Sequence, residues 1–378
     1  MTSFNPKKVF SIGLDLGNGT SIAYCGDWDA TSFISCNTSI GSQAIEIAIE
    51  DSVGSARLLP DKFMHLNANR KAASITRNGY THHYGLSCVN SIQINATPSG
   101  IDRYKFTDLF RDFVNITVSG LQEVPFGANN DLVLCMGMAP ALYSDKTDRL
   151  YVTEKLNQAL NGYTFEDEIN RTFNIQHVYY TAEGLGAYYD HVLTIDNKGS
   201  IKKDADRAKH SYLIIDGGRG TLDTMIVKSF VISSEAGVLS NLHTGTNTLF
   251  KLITDNYNKQ TRQGISPADV ELYVYTGGEL MLKTIDDEVM ADCIAHGKSK
   301  HLDNISYLVA DGYGRNHESF DEILVTGGIV NLFTEEELTS KLSLVNKKVH
   351  IKDSASNARG FYLTAKAAVY QATKKKRG

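Results

Sequence analysis

The hydrophobic and polar positions of this chain follow two alternating periods. Short apolar runs of strand length are followed by longer stretches in which apolar residues recur at helical spacing. The short runs predict strands at Val9 to Leu14, Thr20 to Cys25, Ala44 to Ile49, Asp131 to Met138, Ile175 to Tyr180, Leu213 to Ile215, Met225 to Ile232 and Glu322 to Thr326. The helical spacing predicts helices at Phe106 to Gly120, Asp145 to Leu160, Ala182 to Asp190, Leu249 to Tyr257, Leu280 to Ala295, Asn304 to Val309 and Asn357 to Thr373. Strands that alternate with helices indicate an α/β protein with buried mixed sheets.

Two of the predicted strands end in an aspartate and a glycine-rich turn, after which the chain returns as another strand. The turns are Asp15-Leu16-Gly17-Asn18-Gly19-Thr20 and Asp216-Gly217-Gly218-Arg219-Gly220-Thr221. Glycines let a backbone approach phosphate oxygens, and successive N–H groups form an anion-binding nest. One such turn is a common hairpin, but two predict a site that holds a polyphosphate between them. The expected nucleotide-binding residues are Asp15, Gly17, Asn18, Gly19, Thr20, Gly217, Gly218, Arg219, Gly220 and Thr221.

The aspartates of these turns, Asp15 and Asp216, predict a bound cation. A carboxylate beside an anion nest would repel phosphate unless a cation lay between them. Mg²⁺ takes oxygen ligands, retains several waters and uses few protein carboxylates. We therefore expect Asp15 and Asp216 to face Mg²⁺ directly or through water, in the arrangement that phosphoryl transfer uses.

A third glycine turn, Thr326-Gly327-Gly328-Ile329, joins a predicted strand to a predicted helix start. The bare backbone of Gly327, Gly328 and Ile329 could lie against a purine ring or a ribose. The alternative is a tight turn without a ligand. The similar glycine pair at 277–278 lacks this context and is interpreted as a turn.

Glu183 is the candidate for positioning or activating a water molecule, since it is placed at the start of a predicted helix after the Ile175 to Tyr180 strand. The alternative is a carboxylate that only favours the positive end of that helix dipole. The histidines show no HxxxH spacing, and no local Ser-His-Asp signature is present.

Composition and absent motifs exclude several classes of protein. The 378 residues suit two domains, and a net charge of −5 gives no support for direct nucleic-acid binding. No apolar stretch reaches the ~18 residues of a membrane span, and five scattered cysteines fit a reducing cytoplasm. There is no GxxxxGKS/T motif, which excludes a P-loop enzyme, and no early GxGxxG, which argues against a dinucleotide fold.

These pieces, in this order, resemble the actin–sugar kinase–heat-shock ATPase superfamily, whose members use two phosphate loops, an adenosine loop and two connecting helices. The corresponding segments are 15–21 and 216–223 for the phosphate loops, 321–333 for the adenosine loop, and 181–187 and 357–368 for the connecting helices. Within the superfamily, the chain is most similar to bacterial actin-like proteins of the ParM type. That similarity lies in the pattern Ile-Ile-Asp-x-Gly-x-x-Thr-Leu-Asp at 214–223 and in Asn357-Ala358-Arg359-Gly360-Phe361-Tyr362.

The resemblance implies an actin-like ATPase fold, in which two related domains, each with a mixed five-stranded sheet flanked by helices, surround a nucleotide cleft. It places the first domain at 1–181 and 356–378, with a small subdomain at roughly 36–105. It places the second domain at 182–355, with a small subdomain at roughly 235–310.

The resemblance also implies roles for single residues. Glu183 takes the water-activating position and Asp216 lies with Asp15 on the magnesium side, so Glu183 and Asp216 are the expected catalytic residues. Two positions depart from the pattern. Ile22 stands where ParM carries a phosphate-binding lysine, and Arg219 replaces a glycine, where it either reaches phosphate or points to solvent.

The leading hypothesis is a nucleotide-dependent, filament-forming, cytoplasmic actin-like ATPase that segregates plasmid DNA. ATP (or GTP) with Mg²⁺ would bridge the two halves and close the cleft. Closure would favour head-to-tail contacts between copies, and hydrolysis would weaken them. A ParR-like DNA-binding adaptor on a centromere-like plasmid site would reach the DNA, with no direct nucleic-acid or membrane contact by this chain. The alternatives are another bacterial cytoskeletal filament and a small-molecule kinase of the same superfamily.

Overall fold

The structure is a computed structural model of the chain. The residues it describes are 9–16, 20–28, 33–41, 45–48, 73–77, 80–84, parts of 111–125, and then 126–167, 170–196, 200–233, 238–241, 244–278, 284–313, 319–343 and 347–375. Gly17, Asn18 and Gly19 of the first turn lie outside the described residues, as does the side chain of Thr20.

The regular elements alternate along the chain as the sequence predicts. The strands are β1 (Val9–Leu16), β2 (Thr20–Trp28), β3 (Phe33–Gly41), β4 (Ile45–Ala48), β5 (Ala73–Arg77), β6 (Tyr80–Tyr84), β7 (Asn129–Met138), β8 (Thr164–Glu166), β9 (Thr172–Ala182), β10 (Leu193–Ile195), β11 (Ile201–Lys203), β12 (Tyr212–Gly217), β13 (Leu222–Lys228), β14 (Val231–Ile232), β15 (Val238–Asn241), β16 (Glu322–Thr326) and β17 (Lys348–Ile351). The helices are α1 (Pro140–Ser144), α2 (Lys146–Leu160), α3 (Leu185–Val192), α4 (Thr246–Thr261), α5 (Pro267–Thr276), α6 (Asp287–Tyr313), α7 (Glu335–Leu342) and α8 (Ser356–Lys375).

Two mixed sheets organise the described chain. The first has the strand order β3-β2-β1-β7-β9-β8, and the second has the order β14-β13-β12-β16-β17, with β15 also paired to β13. Each sheet therefore has six strands rather than the expected five, because short strands extend one edge. The mixed α/β prediction is confirmed. All strands of the first sheet precede residue 183 and all strands of the second follow residue 211, while the domain bounds themselves stay a prediction.

Both sheets are covered by helices on their outer faces. In the first sheet, Ile12 and Leu14 of β1 pack with Leu156 of α2, all fully buried. In the second, Leu213 and Ile215 of β12 pack in one cluster with residues of α4, α6 and α7. Because successive strand residues face opposite sides, the alternate residues of β1 and β12 point inward, towards α3 and α8.

The helices α3 and α8 lie between the two sheets and cross each other closely. A Cβ on Gly360 of α8 would overlap the backbone of Gly186 in α3, and a Cβ on Gly13 of β1 would overlap the backbone of Ala358 in α8. Only glycine, which has no Cβ, permits such backbone approaches. The crossing therefore holds the ends of β1 and β12 near one another.

Several element bounds differ from the sequence predictions for local reasons. The helix predicted at Ala182 begins at Leu185, since Ala182 still belongs to β9 and Gly184 takes a left-handed φ of 78°. The helices predicted at 280–295 and 304–309 merge into the single helix α6, which begins only at Asp287, and residues 280–283 lie outside the described residues. The helix start predicted at Ile329 is one 3₁₀ turn, Gly328–Asn331. The glycines at 277–278 end α5 in the αL conformation and so form a turn, as predicted. No helix in the described part of the chain is long and apolar enough to span a bilayer.

Candidate nucleotide site

The two strand-end aspartates approach each other between the sheets. Asp216 is almost fully buried at the end of β12, with 8% of its surface exposed, and Asp15 lies in the last part of β1. Burial, followed by the negative charge of Asp15, raises the pKa of Asp216 to about 7. The structure thus brings together two carboxylates that repel each other when both are ionised.

Asn357, at the start of α8, connects Asp216 to α3. Its Nδ2 donates to Asp216 Oδ2 at 2.7 Å, and its Oδ1 accepts from the backbone N–H groups of Gly184 at 3.1 Å and Ala187 at 3.0 Å. This hydrogen bond favours ionised Asp216 and so lowers its pKa, against the larger effect of burial. Asn357 was part of the resemblance to ParM, yet sequence reasoning did not identify it as a site residue.

The third glycine turn packs directly on the second. Gly327 has a φ of 87°, and a Cβ there would overlap Asp216 Oδ1 and lie 2.7 Å from the carbonyl oxygen of Gly217. A Cβ on Gly217 would in turn lie 2.7 Å from Cγ2 of Ile329. Gly217, Gly327 and Ile329 therefore meet at Asp216, and the two glycines permit a packing that a Cβ at either position would prevent.

The second turn is held by the N-terminus of α4. The carbonyl oxygens of Gly218 and Arg219 accept from the N–H groups of Thr246 and Asn247, both at 3.0 Å. The N–H of Gly218 donates to the carbonyl of Thr221 at 2.9 Å, which closes the hairpin. That N–H is therefore engaged within the turn, whereas the sequence had suggested bare N–H groups along it.

The polar side chains around this turn are also engaged. Thr221 Oγ1 donates to Asp223 Oδ2 at 2.8 Å, and Ser240 Oγ donates to Asp223 Oδ1. Burial raises the pKa of Asp223, and both hydroxyl donors lower it. The hydroxyl proton of Thr221, an expected nucleotide-binding residue, points to Asp223.

Arg219 pairs with a carboxylate of α5, a partner that its place in the sequence did not suggest. Its Nη2 donates to Glu271 Oε2 of α5 at 2.7 Å. The Glu271 side chain is 5% exposed and that of Arg219 is 20% exposed. The ion pair therefore ties the second turn to α5.

Glu183 lies in the turn between β9 and α3 rather than on the helix itself. Its N–H donates to the carbonyl of Met138 at 2.8 Å, at the end of β7. Its Cγ lies 2.7 Å from where a Cβ on Gly137 would stand. The next residue, Gly184, lies over Asp216, whose Cβ is 3.9 Å from the corresponding Cβ position. Glu183 thus lies at the ends of β7 and β9 in the first sheet, next to a glycine that packs over Asp216 of the second sheet.

Ile22 is buried in the core. It is 6% exposed and packs with Ala355 and Ala358 at the start of α8. The position occupied by a phosphate-binding lysine in ParM therefore supports the last helix here.

The raised pKa of Asp216 predicts a pH dependence of stability. Between pH 3.8 and about 7, folded Asp216 holds a proton that the unfolded chain has released, so this group lowers the free energy of unfolding as pH rises. Asp216→Asn lacks this titrating group. We therefore expect its free energy of unfolding, relative to that of the wild type, to be higher at pH 8 than at pH 5. Urea unfolding without nucleotide measures it, with the exposed Asp206→Asn as control. An identical pH 5-to-8 difference in Asp216→Asn and wild type would contradict the assignment.

The Arg219–Glu271 pair predicts a non-additive result. Arg219→Ala removes the hydrogen-bond donor of the buried Glu271 and is expected to lower the free energy of unfolding by about 2 kcal/mol, the usual cost of a buried acceptor left without its partner. Adding Glu271→Gln should restore part of that loss, since the unpaired charge is then removed. Chemical denaturation of the two single variants and the double variant gives the coupling energy, and additive losses would show that the pair has no energetic role.

Comparison with solved structures shows likeness over nearly the whole chain. The apo psk41 ParM protein matches with a TM-score of 0.60 and 19% identity, over 97% of this chain and 99% of its own. An archaeal actin homologue matches with a TM-score of 0.63 and 15% identity, over 95% of this chain and 99% of its own. Bacillus thuringiensis ParM with ATP matches with a TM-score of 0.56 and 14% identity, over 98% and 100%.

No protein-family model and no curated protein matches the sequence. The structural likeness, at these identities, shows the fold. The chain has the actin-like fold, with two mixed sheets flanked by helices, as the resemblance implied.

Proposed function

We propose that this chain is a nucleotide-dependent ATPase that assembles into head-to-tail filaments and segregates plasmid DNA through a ParR-like adaptor. One observation carries the proposal: Asp15, Asp216 and the bare backbone of Gly327 converge where β1, β12 and β16 end between the sheets. An actin-like fold whose neighbours include a ParM structure with ATP supports a nucleotide at that point.

The residues present suit a nucleotide with Mg²⁺. The negative charge of Asp15 raises the pKa of Asp216, and a divalent cation between the two carboxylates would remove that repulsion. Oxygen ligands from Asp15 and Asp216, used directly or through water, match the preference of Mg²⁺. Gly327 is only partly buried beside Asp216, and a glycine there lets a ligand approach the backbone.

Different residues of the chain have different roles in the proposed hydrolysis. When bound, Mg²⁺ supplies the positive charge that stabilises the transferring phosphoryl group. Asn357 holds the Asp216 carboxylate in one orientation through the 2.7 Å hydrogen bond. The second turn is fixed by α4 and α5, so its backbone stays in place. Glu183 orients the attacking water and accepts its proton.

Filament assembly would depend on the same nucleotide site. A nucleotide held by both sheets stabilises one relative orientation of them, and a head-to-tail contact that does not close into a ring produces a filament. The net charge of −5 suits DNA contact through an adaptor rather than by the chain itself.

Purified full-length protein tests the proposal. Light scattering and negative-stain electron microscopy are recorded with ATP, GTP or ADP, in Mg²⁺ or in EDTA, together with phosphate release. Filaments that require a triphosphate and Mg²⁺ are expected. A protein that binds nucleotide and stays strictly monomeric at all concentrations would refute assembly. Co-sedimentation with the product of a neighbouring small DNA-binding gene tests the adaptor, and filaments without such a partner would leave another cytoskeletal role.

A further inference from the structure

A cluster of two histidines and one glutamate lies away from the nucleotide site. His191 is in the last turn of α3, Glu322 begins β16, and His350 is on the neighbouring strand β17. One ligand atom from each of the three side chains lies within 4.8 Å of the other two. Three elements of the second half of the chain therefore present metal-ligand atoms to one point.

His191 is the unusual member of this cluster. It is 4% exposed, and its Nε2 is buried without a hydrogen-bond partner among the described residues. A buried ring nitrogen that makes no hydrogen bond costs free energy. Burial lowers the pKa of His191 to about 4, so the ring is neutral at pH 7 and keeps a lone pair. His350 Nε2 lies 2.8 Å from Glu322 Oε2, and both side chains are partly open to solvent.

The nearby positive charges are already compensated by carboxylates. Lys352 pairs with Asp190 at 2.7 Å, and Arg207 pairs with Asp204 at 3.4 Å. After burial, the charges of His350, Lys352 and Arg207 further lower the pKa of His191. Against the effect of burial, His350, His210 and Lys348 lower the pKa of Glu322. Glu322 is the carboxylate that would offset the charge of a bound cation.

We propose that His191, Glu322 and His350 form a zinc site. Two imidazoles and one carboxylate are an established zinc-binding set, with water as the fourth ligand. Mg²⁺ prefers oxygen ligands, whereas imidazole suits zinc and similar transition metals. Metal–ligand bonds of about 2.0–2.1 Å place tetrahedral ligand atoms about 3.3 Å apart. His350 Nε2 and Glu322 Oε2, now 2.8 Å apart, would therefore separate slightly, while ligand atoms that lie up to 4.8 Å apart would draw closer. The partial exposure of Glu322 and His350 lets water complete the site.

The ion would fasten the end of α3 to the second sheet. The strand β16 continues from Glu322 to Thr326 and Gly327, which contacts Asp216. A metal at the opposite end of that strand would stabilise the strand without contacting nucleotide. The site is independent of the proposed ATPase activity.

Zinc binding by the metal-stripped, full-length protein, without nucleotide, tests the site. Titration against a chromogenic zinc indicator should give one ion per chain, with an increase in melting temperature. His191→Ala and His350→Ala should each weaken binding at least tenfold, while the exposed His296→Ala and the nucleotide-site Asp216→Asn should leave it unchanged. Co²⁺ should give the visible d–d bands of a tetrahedral site in the wild type, and circular dichroism establishes that each variant is folded. No zinc binding by the folded wild type, or unchanged binding in both folded cluster variants, would overturn the proposal.

Discussion

Glu183→Gln is expected to lower ATP-dependent phosphate release by roughly 10²–10⁴-fold, the usual contribution of a general base. Glutamine keeps the size and the packing against Gly137 but cannot accept the proton of the attacking water. Nucleotide affinity and assembly should therefore persist, because Asp15, Asp216 and the second turn are unchanged. Filaments of the variant should form with ATP and disassemble slowly.

Three measurements on the same preparations separate these effects: phosphate release, binding of a fluorescent nucleotide analogue, and light scattering after nucleotide is exhausted. Glu166→Gln, an exposed glutamate on β8, is the matched control and should behave as wild type. Phosphate release that stays at the wild-type rate in Glu183→Gln would remove Glu183 from the mechanism. Loss of binding would instead give it a role in holding nucleotide.

Gly360→Ala is expected to destabilise the fold by about 3 kcal/mol, the upper part of the range for overpacked sites. The added methyl would overlap the backbone carbonyl of Gly186, and a backbone cannot rotate away as a flexible side chain can. The helices α3 and α8 would have to separate, which would also strain the hydrogen bonds of Asn357 to Gly184 and Ala187.

Gly264→Ala provides the matched control for this substitution. No atom lies within 4 Å of a Cβ at Gly264, and its φ is not in the left-handed region. That variant should be neutral or slightly more stable, because alanine restricts the unfolded chain. Equal stability of the two variants in thermal and urea unfolding would contradict the close crossing.

Much of the fold was predictable because its signals are local. Apolar runs such as 131–138 and 322–326 are strands in the structure, and the glycine turn after Asp216 follows β12 as predicted. The predictions that were wrong concern element bounds that tertiary contacts decide. Ala182 has good helix propensity, yet pairing with β7 keeps it in β9. The 280–295 and 304–309 patterns gave no sign that they belong to one helix.

The site was predictable in its backbone and less so in its side-chain partners. The glycines at 217 and 327, which the sequence analysis selected, stand at positions where the structure leaves no room for a Cβ. The partner of Arg219 is 52 residues away in the chain, and Asn357 is 141 residues from Asp216. Contacts across such separations depend on tertiary packing, which no local spacing encodes. The same holds for His191, which only the packing of α3 brings to β17.

The crossing of α3 and α8 has a mechanical consequence. The first sheet is covered by α8 and the second by α3, and the helices meet backbone to backbone at Gly186 and Gly360. Contact at one close point resists sliding and separation far more than it resists turning. We therefore expect any change in the separation of the two sheets to occur as rotation about this crossing, with the smallest displacement near Asn357 and the largest at the outer edges of the two sheets.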